Sequence, residues 1–159
     1  MQCVTSDRYL QMVILSQEAF DKEWIADIEN AVRQFPYQET ADSDSRIALC
    51  ICVILRRLRK EFVAEYLPVL KTWVKDQLTQ EKIFNEGDLM LIIEYISALE
   101  NPDALVDGYI KFWQEILESG TAVKVSKKTV EMLKRLTIVI TMQQAKELRK
   151  VIATLNYAR

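Results

Sequence analysis

The stretch Ile47-Ala48-Leu49-Cys50-Ile51-Cys52-Val53-Ile54-Leu55-Arg56-Arg57-Leu58 decides the fold. Its first nine residues are apolar without a break. A membrane-spanning helix needs about 20 such residues, so the run is too short to cross a bilayer. Two structures bury a run of this kind on all sides: a central strand of a parallel sheet, or a helix at the centre of a domain. Ser43 or Asp44 stands upstream as an N-cap, and a helical pattern continues through Leu58 to Phe62. The stretch therefore reads as a buried helix over 47–62.

Its surroundings read the same way. Trp24, Ile28, Ala31 and Phe35 step by four, three and four, a helical stripe that Pro36 ends. Residues 36–43 form a polar loop. Pro68 marks a kink, or the first turn of a separate helix running to about Leu78. Asp88 caps a helix through Leu99, and Asn101-Pro102 opens another that Gly120 closes. Ser126 caps 127–140, where Val130, Leu133, Leu136 and Ile140 share one face. Thr141 and Gln144 have capping-box spacing and open a last helix carrying Leu148, Val151, Ile152 and Leu155.

The expectation is an all-α single domain over 1–159 with six to eight helices. It is either a closed bundle around the buried 47–62 helix or a short stack of antiparallel helix pairs of the HEAT or armadillo kind. Such repeats run about 40–47 residues. A shift of 40 lays Leu70-Lys71-x-Trp73 on Ile110-Lys111-x-Trp113, with too few further identities to establish a repeat. The competing fold is α/β, with Leu10–Leu15, Ile47–Leu55, Leu89–Ile96 and Leu136–Thr141 as strands of a small parallel sheet. The strand-to-helix joints that fold requires lack glycine, asparagine and loop length.

Composition bounds the chemistry. There is no histidine, and the only glycines are Gly87, Gly108 and Gly120. Histidine is the usual general base and the commonest metal ligand, and glycine builds phosphate-cradling loops. No phosphate loop, dinucleotide fingerprint, nucleophile elbow or zinc-protease motif is present. Asp103 and Asp107 have helical spacing, but surface acids on a helix account for them. No enzyme activity, cofactor or metal is expected. Cys50 and Cys52 point about 200° apart on a helix, and only Cys3 remains as a third thiol. Core cysteines in a reducing compartment follow. The first residues lack the basic region of a secretory signal, so the expected location is intracellular, cytoplasmic or nuclear, and not in a membrane.

Charge is polarised along the chain. The net charge is −2, yet residues 81–118 hold nine acids and two bases, and residues 124–159 hold nine bases and two acids. These helices either pack together and neutralise or leave a basic face exposed. Lys127, Lys128, Lys134 and Arg135 lie off the apolar stripe of one helix, and Lys146, Arg149 and Lys150 off that of the next. Two such faces attract an acidic partner, protein or nucleic acid. Arg56-Arg57-Leu58-Arg59-Lys60 reads mainly as a solvated helix end, with a nuclear localisation signal or nucleic-acid patch as the sharper reading. Trp73 and Trp113 stand in helices with wide apolar sides, where tryptophan can anchor a partner's amphipathic helix in a groove.

The expected function is a non-enzymatic protein-interaction adaptor. Its partner has an acidic surface or an amphipathic helix, and the binding residues are the seven bases with Trp73 and Trp113. A nucleic-acid-binding adaptor on the same face is the alternative. A self-assembling scaffold subunit, with acidic 81–118 meeting basic 124–159 of another copy, is the second.

Overall fold

A computed structural model describes residues 22–35, 41–79, 85–118 and 123–158. The Leu10–Leu15 segment, Cys3 and Gly120 lie outside them, as does the side chain of Trp24. The described residues form seven helices: α1 (Lys22–Arg33), α2 (Ala41–Leu55), α3 (Lys60–Thr79), α4 (Glu86–Glu100), α5 (Leu105–Leu117), α6 (Lys127–Val139) and α7 (Met142–Thr154). Two three-residue strands, β1 (Lys124–Ser126) and β2 (Asn156–Ala158), form a parallel ladder that pairs Lys124 with Asn156 and Ser126 with Ala158. The fold is all-α. Ile47–Leu55, Leu89–Ile96 and Leu136–Val139 are helical, so the α/β alternative is overturned. Neither strand of the ladder was expected.

α2 is buried nearly all round, as its apolar run requires. From Ser45 to Leu55 only Arg46 is exposed. The expected 47–62 helix is nevertheless two helices. The Arg57 and Leu58 N–H groups donate to the carbonyls of Ile54 and Leu55, three residues back, which tightens the last turn and ends α2. Leu58 then turns inward while Arg56 and Arg57 stay in water. The chain resumes at Arg59, whose backbone N–H and Nε donate to the α1 carboxylate of Glu29 at 3.2 and 3.0 Å, and whose Nη2 donates at 2.6 Å. Glu29 is only 2% exposed. A buried carboxylate from another helix thus caps the start of α3 and holds the break in place.

α3 runs through Pro68 without a second start, correcting the separate helix expected there. Pro68 and Ala64 both lie on the exposed side. Water can reach the carbonyl of Ala64, four residues back, which loses its N–H partner to the proline ring. The other helix ends shift by a few residues. α2 begins ahead of Ser43, α4 is capped by Asn85 rather than Asp88, and Asn101 ends α4 instead of opening α5. The Ser126 cap and the Thr141–Gln144 capping box form as expected, the latter with both of its hydrogen bonds.

α2 packs on α4, α4 on α5, α5 on α7 and α7 on α6, while α3 lies along α4. One continuous apolar core runs through these contacts from Ile28 to Leu155. The α4–α5 approach is close: a Cβ on Gly108 would stand 2.6–2.9 Å from side-chain atoms of Asn101, so only glycine fits there. Lys71 of α3 ties the same corner, reaching Glu100 at 3.1 Å and Glu115 at 2.6 Å beneath the ring of Phe112. Burial works against its charge, but the two carboxylates prevail and raise its pKa.

The first turn of α4 is joined to the first turn of α6. Glu86 accepts hydrogen bonds from the Ser126 backbone N–H at 2.9 Å, from the Ser126 hydroxyl and from the Thr129 hydroxyl. Ser126 also caps α6 by accepting from the Thr129 N–H. Replacing Glu86 by alanine leaves three part-buried donors without their acceptor. Glu86→Ala is expected to cost about 2–3 kcal/mol, and Glu86→Gln, which keeps an acceptor oxygen, less. Thermal unfolding of the two variants against the parent checks the order.

Candidate functional site

The two tryptophans proposed as groove anchors are core residues. Trp113 is fully buried and Trp73 is 7% exposed, its ring meeting Phe35 edge-on at 5.2 Å. Neither can reach a partner, which corrects the groove as first placed. The wide apolar sides of their helices are covered by neighbouring helices.

A different groove lies open among the described residues. It has a volume of about 730 Å³ and runs between α4 and α6, with α5 as its floor. The α4 wall carries Leu91, Tyr95 and Ala98 at spacings of four and three, and the α6 wall carries Met132, Leu136 and Val139 at four and three. Leu105, Val106 and Tyr109 form the floor. Each wall is therefore one helical stripe, because residues three and four apart stack on one face. The two walls start together at the Glu86–Ser126 junction and run from it toward the groove.

Large apolar side chains stand in solvent here. Leu105 is 55% exposed and Val139 77%, and beside them Ile138 and Met142 reach 80% and 91% at the α6–α7 corner. A contiguous apolar patch marks an interaction surface, whereas single exposed apolar residues do not. Polar groups on the walls are few. Glu94 stands on the α4 side and Arg135 on the α6 side.

Comparison with family models, with curated proteins and with solved structures finds no match. The reading of the site rests on its geometry.

Lys127, Lys128, Lys134, Arg135, Lys146, Arg149 and Lys150 are all exposed on α6 and α7. Among the described residues, no ion pair involves Lys127, Lys128, Arg135, Lys146, Arg149 or Lys150. The acidic segment finds its partners elsewhere: Glu100 and Glu115 on Lys71, Glu86 on Ser126 and Thr129, Asp107 on Gln144. Packing of α5 on α7 thus leaves the basic faces in water. Lys128, Met132, Arg135 and Val139 lie at successive spacings of four, three and four, so two of these bases share the groove-side stripe of α6.

The groove was visible in part. Met132, Ile138 and Val139 fall outside the Val130/Leu133/Leu136 stripe that packs α6, and apolar residues off the packing stripe are the signal of a second apolar face. On α4 the run from Leu89 to Ile96 is too uniformly apolar to show which side stays open.

Other chemistry is sparse. Among the described residues, no group of three or more His, Cys, Asp or Glu side chains is placed to hold a metal ion. No helix among them is long and apolar enough to cross a membrane. Burial pushes the Cys52 thiol well above the ordinary range, with Cys50 beside it adding to the effect.

On the groove floor, burial pushes the Tyr109 phenol up from 10.0 to about 12, with the Trp113 side chain pulling the other way and Glu94 adding to the rise. The folded pKa is the higher one, so its contribution to stability is complete below pH 10.0 and is lost as pH rises toward about 12. Tyr109→Phe lacks an ionisable group and is expected to lose less stability than the parent across that window. Thermal melts of both proteins through the window test this. Parallel curves would remove the assigned cause.

Proposed function

We propose that the chain is a non-enzymatic protein-interaction module whose α4/α5/α6 groove docks an apolar helical face of a protein partner. The observation that carries this reading is the pair of matched apolar stripes facing each other across an open floor. Two ridges with spacings of four and three form a slot suited to a third helix that presents the same spacing. The degree of exposure favours a macromolecule over a small ligand. Small-molecule sites bury 70–90% of a drug-sized ligand, whereas here the lining side chains stand well out in solvent.

The exposed bases of α6 and α7 supply the complement. A partner whose apolar face is flanked by acids meets Lys128 and Arg135 along the rim, which speeds encounter and fixes orientation more than it adds affinity. Absence of histidine and the small number of glycines support recognition rather than catalysis as the activity.

A photo-activatable residue in place of Val139 tests the docking reading. In cells it is expected to give a discrete protein adduct that a Leu91→Glu substitution on the opposite wall abolishes. Loss of the adduct in that variant supports the groove. No protein adduct, or one indifferent to Leu91→Glu, overturns it.

One observation favours a second reading, a nucleic-acid-binding adaptor: six exposed bases on two adjacent helices that form no ion pair among the described residues. Phosphate contacts release counterions, so such binding falls steeply with salt and is insensitive to sequence. On that reading the protein binds a labelled single-stranded RNA at low salt, and Lys127→Glu/Lys128→Glu removes the binding while Leu91→Glu does not. Retention of binding by the lysine variant would exclude this face.

A further inference from the structure

The docking reading calls for an apolar helix face flanked by acid, and the chain carries one itself. α4 exposes Leu91, Glu94 and Tyr95 on the groove side, within the most acidic segment of the sequence. Each apolar wall therefore carries one charge, Glu94 on the α4 side and Arg135 on the α6 side. Glu94 and Arg135 both open onto the groove, and among the described residues neither takes part in an ion pair.

Their heights along the groove match. Both walls begin where Glu86 holds Ser126. Glu94 lies eight residues beyond Glu86, and Arg135 nine beyond Ser126. At the helical rise of 1.5 Å per residue, these are about 12 and about 14 Å from the junction. Equal height is what a twofold axis lying along the groove requires. Such an axis turns the α4 wall of one molecule onto the α6 wall of the other, so that Glu94 meets Arg135 twice.

Resting on the docking reading, we propose that the groove's occupant is a second copy of this chain, the two grooves closing face to face about that axis. The contact covers Leu91, Tyr95, Leu105, Met132 and Val139 of both molecules. It uses the same patch on each and therefore stops at two. Long-range charge favours the same pose. Glu94 on α4 faces solvent, as do Lys128 and Arg135 on the groove-side stripe of α6, so two copies attract in the orientation that opposes α4 to α6.

Sedimentation of the purified chain at micromolar concentration tests the proposal. The expected mass is twice 18.5 kDa, about 37 kDa. Glu94→Arg and Arg135→Glu each put like charges together in both of the symmetry-related pairs, and each is expected to weaken the dimer at least about tenfold. Mixing the two single variants restores opposite charges at both positions, and a heterodimer should form. The doubly exchanged chain, Glu94→Arg/Arg135→Glu, should dimerise again. Both positions are exposed, and far-ultraviolet circular dichroism spectra that match the parent's at about 25 °C confirm that the variants fold, since the melts themselves shift when a dimer dissociates. A monomeric parent, or a dimer indifferent to both reversals, overturns the proposal. The failures are separable: adducts from Val139 to proteins of other masses, with a monomeric parent, keep the docking groove and discard the second copy as its occupant.

Discussion

The carboxylate of Glu86 is the interaction on which the open surface depends. It stands in the first turn of α4 and accepts from the residue that caps α6, so the starts of two helices distant in sequence are fixed at one point. Beyond that point Leu105, Val106 and Tyr109 of α5 line the space between the two helices. Were the two walls joined along their length, their apolar stripes would close on each other and vanish into the core. Joined at one end, they leave a slot. Charged hydrogen bonds of this kind are short and directional, which makes them suited to setting an angle between elements.

A second carboxylate, this one buried, acts in the other half of the chain. Glu29 meets Arg59 where the apolar run of α2 must stop, and so sets where α3 begins. The guanidinium reaches toward solvent while the carboxylate stays inside. The pair therefore does not share one environment, and its value lies in satisfying an orphan backbone N–H as much as in attraction between charges. With α3 so placed, Lys71 reaches the ends of α4 and α5 and holds the corner from which the groove floor departs.

Much of the helical organisation was legible because local chemistry decides it. Ser126 and the Thr141–Gln144 box work through hydrogen bonds spanning three residues, and no distant partner is needed to make them. The break between α2 and α3 was hidden for the opposite reason. Arg56 to Lys60 reads as an ordinary solvated helix end until Glu29, thirty residues away from Arg59, is brought against it. Pro68 misled because a proline's effect depends on whether water can reach the carbonyl it strands. The bases on α6 and α7 were identified from their position opposite the apolar stripe, and they are exposed. Trp73 and Trp113 were misplaced because a wide apolar side does not reveal whether another helix covers it. The groove is a relation among three helices, and only the surplus apolar residues on α6 hinted at it.

The short β1–β2 ladder has a consequence for motion. It ties the residues just before α6 to those just after α7, so the helix pair is closed into a ring by backbone hydrogen bonds at its open end. A pair closed in this way opens cooperatively, as one unit, rather than by fraying from either terminus. The basic wall of the groove thus moves as one body, held along the packing of α7 on α5 and at the Glu86–Ser126 junction with α4. Changes in groove width would then appear as a correlated shift of α6 and α7 together, leaving their internal amide protection intact.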